Sequence, residues 1–237
     1  MPKQLSFAGP SLVFVTGTDT SVGKTTLTCI LLCYLIHSGV RVAAVKPLCS
    51  GGRGDAQLLA RLQNEKWPLE LVNPFWFAAP LAPGVAARQE GRRIRLAQVQ
   101  RYLARMQASC DCLLVEGAGG LLTPLGEGFN LADLIVDMDG AAIIVAANRL
   151  GAINHTLLTV SYLRHLGIKK IKVVLMELCR KNMVSHSNSL ILSELLTTTP
   201  VFSVPFLGSR ASELAVLKKN AKKNQKTLAR ILRIDRL

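Results

Sequence analysis

The chain has 237 residues, 49% of them hydrophobic and 19% charged, with a mean hydropathy of +0.31. That length suits one α/β domain, and the composition excludes disordered, collagen-like and coiled-coil classes because it supplies ample apolar surface for a core. A formal net charge of +14 and a pI near 9.9 point to anionic partners without choosing among nucleotide, nucleic acid and membrane surface.

In chain order, Met1 to Phe7 lack the basic, apolar and small-residue succession of a secretory signal, and no segment reaches the ~18 apolar residues of a membrane span, so a cytoplasmic protein is expected. Leu12 to Val15 reads as a strand ending at Gly17. The apolar segment beginning at Lys24-Thr25-Thr26 reads as a buried helix that closes at Ser38-Gly39. Between them, Gly17-Thr18-Asp19-Thr20-Ser21-Val22-Gly23-Lys24-Thr25-Thr26 is a phosphate loop in its proper context, after a strand and before a helix. Its backbone N–H groups can bind anionic oxygens, Lys24 can reach the β- and γ-phosphates, and the Thr25 hydroxyl can ligate Mg²⁺. The strict spacing of such loops puts glycine where this chain has Thr18, and here the glycine lies one residue earlier.

Val40 to Val45 is a second strand, ending at Lys46-Pro47. Lys46 there either holds a transferring phosphoryl group or anionic intermediate, or is a solvated strand-end lysine. Cys49 to Asp55 reads as a glycine-rich loop, with Asp55 a metal candidate, the N-cap of a helix over Ala56 to Leu62, or both. Trp67 to Pro83, with four prolines and four aromatic residues, reads as a structured excursion. After a helix over Leu96 to Met106 comes the strand Cys112 to Val115. Glu116 stands at its carboxyl end as the acidic partner that a phosphate loop needs for its metal, before Gly117-Ala118-Gly119-Gly120.

Ala141 to Val145 and Ile171 to Leu175 are further apolar strands. Asn154 is expected to cap a helix running from His155 to Leu166, whose free N–H groups could bind a carboxylate, and Ser189 to Leu196 is also helical. Continuous apolar strands alternating with helices predict a single α/β domain over 1–237, with a mostly parallel sheet and helices on both faces. The six cysteines lack zinc-site spacing and are expected as reduced thiols. From Lys218 to Leu237 eight basic residues face Asp235 alone, half of the net charge. Leu214, Leu217, Ala221, Leu228 and Leu232 recur at roughly helical spacing, so an amphipathic basic helix is expected over about 210–237.

Five motifs in order resemble the dethiobiotin synthetase family: 17–25, Val-Lys-Pro-Leu-Cys-Ser-Gly at 45–51, Asn-Pro-Phe with Phe77 and Ala78 at 73–78, Val-Glu-Gly-Ala-Gly-Gly-Leu-Leu-Thr-Pro-Leu at 115–125, and Leu-Gly-Ala-Ile-Asn-His-Thr-Leu-Leu-Thr at 150–159. The resemblance implies a P-loop NTPase fold and a homodimeric, Mg²⁺-dependent enzyme with its active site at the interface. It would convert 7,8-diaminopelargonic acid, CO2 and ATP into dethiobiotin, ADP and phosphate, with no nucleic-acid or membrane partner. On matching positions it implies ATP binding by Ser21, Val22, Gly23, Lys24, Thr25 and Thr26, with Asp55, Glu116, Gly117, Ala118 and Gly119, and Val204-Pro205-Phe206 beside the base. It implies Mg²⁺ at Thr25, Asp55 and Glu116, catalysis by Lys46 and Lys24, and substrate contacts at Ser50, Gly151 and Asn154. Many members carry Asn for adenine where this chain has Met176, which implies nucleotide selectivity that is either relaxed or carried by backbone. Plasmid-partition and septum-site ATPases share the fold but carry a second lysine five residues before the loop lysine; that position here is Asp19.

Overall fold

A computed structural model describes residues 11–179 and 183–233, with the side chains of 183–185 left aside. The first strand, β1 (Ser11–Gly17), leads through the phosphate loop into α1 (Lys24–His37), and β2 (Val42–Val45) follows. Next come β3 (Leu48–Ser50), α2 (Gly54–Leu62), α3 (Leu69–Val72), β4 (Phe75–Phe77), α4 (Pro83–Gln89) and α5 (Leu96–Ala108). Then β5 (Cys112–Glu116), α6 (Leu131–Asp137), β6 (Ala141–Ala147), α7 (Ala152–His165) and β7 (Ile171–Met176) build the centre of the sheet. The chain continues through α8 (Met183–Leu195), β8 (Val201–Val204), α9 (Leu214–Lys223) and α10 (Gln225–Leu232).

Six strands form one sheet in the order β2-β5-β1-β6-β7-β8, and every pairing in it is parallel. Two cores lie on opposite faces. Leu12 and Phe14 of β1, Leu113 and Val115 of β5, and Ile144 of β6 point into one. Their neighbours Val13, Val15, Leu114, Ile143 and Val145 point into the other, against α1, α9 and α10. The two-residue period of a strand therefore makes continuous apolar runs the requirement for a sheet covered on both sides, as expected.

Several local expectations change. The glycine-rich loop begins later than expected, because Leu48–Ser50 pairs in parallel with Phe75–Phe77 as a separate two-stranded sheet; three paired residues suffice for a strand there. Asp55 does not cap α2: Arg53 holds the N-cap position, and Gln57 N–H donates to its carbonyl. Asn154 does not cap α7 either. Gly151, at φ 88°, makes the turn three residues earlier, a left-handed conformation that suits glycine. The basic C-terminal segment is two helices meeting at Asn224, and the part of that expectation beyond Arg233 lies outside the described residues, as do Met1 to Phe7. No helix among the described residues is long and apolar enough to cross a membrane.

Candidate active site

Strand order brings the site together. With β1 between β5 and β6, and β5 between β1 and β2, the carboxyl ends of three neighbouring strands deliver the phosphate loop, Glu116 and Lys46 to one place. Open α/β sheets bind ligands at such carboxyl ends.

The loop turns on backbone that glycine alone adopts easily. Gly23 has φ 100° and is the N-cap of α1, and Ser21 is also left-handed at φ 55°. Thr18 N–H donates to the Val145 carbonyl at 2.9 Å, pinning the loop's first residue to β6. A Cβ on Gly17 would lie 2.8 Å from the Asp19 carbonyl oxygen and 2.9 Å from Lys24 Nζ. The loop folds back across Gly17, so the glycine must stand there and Thr18 is tolerated. Lys24, buried, donates to that Asp19 carbonyl at 2.7 Å. Burial and then the nearby Lys46 charge lower its pKa to about 8, so this ammonium is destabilised until an anion reaches it.

Lys46 lies between two carboxylates. Its ammonium donates to Asp55 Oδ2 and to Glu116 Oε1, each at 2.6 Å, and Thr25 Oγ1 donates to the same Glu116 oxygen at 2.7 Å. Burial works against the Lys46 charge, but the Glu116 and Asp55 carboxylates outweigh it and its pKa is raised. Burial likewise opposes ionisation of Asp55, and the Lys46 charge and hydrogen bond overcome it, lowering the Asp55 pKa. Lys46 is thus 6% exposed and held by both carboxylates, which removes the solvated strand-end alternative. Glu116 Oε2 is buried with no hydrogen-bond partner, a carboxylate oxygen with unused ligating capacity.

Asn73, 1% exposed, braces this arrangement. Its Nδ2 donates to the Lys46 carbonyl at 2.7 Å, while its Oδ1 accepts from Arg53 Nε at 3.1 Å. It therefore ties the end of β2 to the start of α2, the two segments carrying Lys46 and Asp55. The sequence showed it within an Asn-Pro-Phe motif without assigning it a role; an asparagine amid otherwise apolar residues before proline was the available signal. Gly117 and Gly119 pack closely, since a Cβ would meet Leu131 Cδ2 at 2.4 Å and Thr123 Oγ1 at 2.4 Å respectively. Ala118 beside them is partly exposed. Val22 is buried, and Thr26 is partly so, inside the first turn of α1.

The remaining predicted residues lie further out. Ser50 is partly exposed at the end of β3 and donates to the Leu81 carbonyl. Gly151 and Asn154 are exposed at the start of α7. At the end of β8, Val204 is buried in the core whereas Pro205 and Phe206 are exposed. Met176 is 5% exposed and packs on the phosphate loop, its Cγ 3.0 Å from where a Gly23 Cβ would stand. The neighbouring Glu177 accepts from Asn148 Nδ2 at 2.8 Å.

A family model described as an AAA domain matches residues 11–210. An ATP-dependent dethiobiotin synthetase from Bacillus licheniformis is 42% identical over 68% of this chain and 71% of its own length. The chain belongs to the dethiobiotin synthetase family. A second dethiobiotin synthetase, from Bacillus velezensis, is 34% identical over 84% of this chain and 88% of its own, so family likeness extends beyond the five motifs. Among solved structures, the MinC:MinD cell division protein complex of Aquifex aeolicus superposes with a TM-score of 0.59 at 15% identity, covering 96% of this chain and 97% of the other. A plasmid partition protein from Borrelia burgdorferi gives 0.55 at 12% identity, covering 91% and 99%. At those identities the likeness is one of fold, which is the P-loop NTPase fold expected.

Proposed function

We propose that the protein catalyses ATP-dependent ring closure of 7,8-diaminopelargonic acid with CO2 to dethiobiotin, in keeping with relatives named ATP-dependent dethiobiotin synthetases. The observation that carries this reading beyond family membership is the Lys46 ammonium held between Asp55 and Glu116, beside a phosphate loop. A cation held there beside the phosphate loop suits a reaction with an anionic intermediate.

In the proposed sequence one amine nitrogen attacks CO2 and loses a proton, giving a carbamate. A carbamate oxygen then attacks the γ-phosphorus of ATP and its bond to the β–γ bridging oxygen breaks, leaving ADP and a carbamic–phosphoric anhydride. The second amine attacks the carbonyl carbon, phosphate leaves, and loss of a proton gives the cyclic urea. Lys24, with the backbone N–H groups of Ser21 to Thr26, stabilises charge on the phosphates, and Lys46 stabilises the carbamate and the transferring group. Ser50 contacts the substrate, and Gly117 to Gly119 allow close approach of the reacting groups. Pro205 and Phe206 offer an exposed surface to the base.

Thr25, Asp55 and Glu116 suit Mg²⁺, because all three offer oxygen and one Glu116 oxygen is unsatisfied. Two carboxylates with substrate phosphates are a usual Mg²⁺ set, and the ion neutralises charge on the phosphates when bound.

A homodimer with the site at its interface belongs to the same reading. It is supported by the exposed apolar side chains Leu150, Leu158, Tyr162, Leu190 and Leu195 on and around α7 and α8, since exposed apolar surface can mark a partner. Gly151 and Asn154, beside Leu150, would then meet the substrate carboxylate of the other protomer's site. The cytoplasm is the proposed location.

ATP turnover measured with and without the diamine and bicarbonate tests the function. Turnover is expected only with both, and equal hydrolysis without the diamine would refute the proposal. DNA should not stimulate it, as it would a partition ATPase.

A further inference from the structure

Lys46 occupies the position where its own partners would be expected to hold a metal. Of the three oxygen donors proposed for Mg²⁺, Lys46 engages Asp55 and Glu116 directly at 2.6 Å each, and Thr25 gives its hydroxyl hydrogen to the same Glu116 oxygen. The Glu116 side chain is fully buried and the Lys46 side chain 7% exposed, whereas Asp55 is 48% exposed, so solvent reaches Asp55 but cannot balance Glu116. Without the ammonium, the buried Glu116 carboxylate would stand near the Asp55 carboxylate with no counter-charge and with one of its own oxygens already unsatisfied.

We infer that Lys46 is a resident counter-ion for Asp55 and Glu116, keeping a bare divalent cation out of the nucleotide-free protein and yielding its place only to a cation that arrives with the nucleotide phosphates. The inference rests on the metal-site reading above. Its physical basis is charge balance: one ammonium offsets part of the charge of two carboxylates, and a divalent ion entering beside it meets electrostatic repulsion. Nucleotide phosphates supply further negative charge and further oxygen ligands, which removes the penalty of having both cations present. The lysine is then released towards an anionic reactant on a flexible stem. On this basis Lys46 has two duties, charge balance in the resting site and anion stabilisation in the working one.

Mn²⁺ serves as the probe, its free concentration read by electron paramagnetic resonance, with no turnover involved. Without nucleotide, Lys46→Gln should bind Mn²⁺ about tenfold or more tighter than the unsubstituted protein, a difference of ~1.4 kcal/mol. Adding Glu116→Gln to Lys46→Gln should abolish the gain. With the non-hydrolysable analogue AMPPNP present, the unsubstituted protein should bind Mn²⁺ well. Equal Mn²⁺ affinity of the two proteins without nucleotide, with binding retained beside AMPPNP, overturns the inference and leaves the metal site standing. No Mn²⁺ binding even with AMPPNP overturns the metal site and the inference with it. A test without substitution covers the case in which Lys46→Gln fails to fold. Millimolar Mn²⁺ alone should leave the melting temperature of the unsubstituted protein unchanged, and a rise of several degrees overturns the inference.

Discussion

Lys46 Nζ lies 2.6 Å from Glu116 Oε1, and the two side chains are 7% and 0% exposed. They stand at the carboxyl ends of β2 and β5, strands whose register aligns Val45 with Val115, so the pair is set by sheet pairing. Replacing Lys46 by alanine leaves the buried Glu116 carboxylate, one oxygen of which already lacks a partner, without its counter-charge. Such a loss costs about 3–5 kcal/mol of stability and should lower turnover by on the order of 10²–10³. The double variant Lys46→Ala, Glu116→Ala should recover part of the melting temperature and none of the turnover. A double variant no more stable than Lys46→Ala would show that the pair is not coupled.

Gly17→Ala should abolish nucleotide binding while leaving the sheet intact. The new methyl would stand 2.9 Å from Lys24 Nζ and 2.8 Å from the Asp19 carbonyl oxygen, displacing the hydrogen bond that sets the lysine. Titration with a fluorescent ATP analogue, alongside a circular dichroism melt, reads both effects. Thr18→Gly, which restores the strict spacing, should change affinity little.

Asn73→Ala removes the donor to the Lys46 carbonyl and the acceptor for Arg53. Leaving those groups unsatisfied should cost about 1–3 kcal/mol in a denaturant titration. Because Asn73 acts on the backbone that carries Lys46, turnover should fall more than ATP affinity does. An equal fall in both would argue for a purely structural role.

Met176 packs on the phosphate loop at Gly23, and the adjacent Glu177 accepts from Asn148. A thioether cannot read a base edge by paired hydrogen bonds. Turnover with several nucleoside triphosphates should therefore be comparable at saturating diamine and bicarbonate. A strong preference for ATP would assign selectivity to the backbone or to the segment around Phe206.

Cysteine reactivity should follow burial. Burial raises the Cys33 thiol to about 11 and the Cys112 thiol to about 12. A raised pKa lowers the thiolate fraction at a given pH, so at pH 8 both are almost wholly protonated and unreactive. Cys179 is exposed. Brief treatment with iodoacetamide at pH 8 followed by mass spectrometry should find it modified first, with Cys33 and Cys112 reacting only on unfolding.

Much of the site could be read along the chain because its chemistry is local. A phosphate loop is one uninterrupted segment between a strand and a helix, so Lys24 and Thr25 are identified by neighbours within ten residues. Glu116 is identified by the apolar run that it ends. Asp55 and Asn154 have good capping side chains, yet α2 starts from Arg53 and α7 from the left-handed Gly151, where backbone conformation and not a capping side chain makes the turn. The local reading also passed over α6, although Asn130 and Asp133 form a capping box visible as Asn-x-x-Asp before an apolar run. The strands β3 and β4 were missed for a different reason. Each has three residues and exists only by pairing with the other.

The amino-acid sequence by itself determined the parallel α/β class, the loop and the acids and lysines at its strand ends, because strand burial and phosphate binding leave short-range patterns. The tertiary structure decided what those residues are to one another. That Lys46 bridges Asp55 and Glu116, that Asn73 holds the backbone of Lys46, and that Gly17 must be glycine all depend on β5 lying between β1 and β2 and on the loop's path across its own strand end. The Lys46–Glu116 contact joins segments 70 residues apart, which strand order creates and no local pattern encodes.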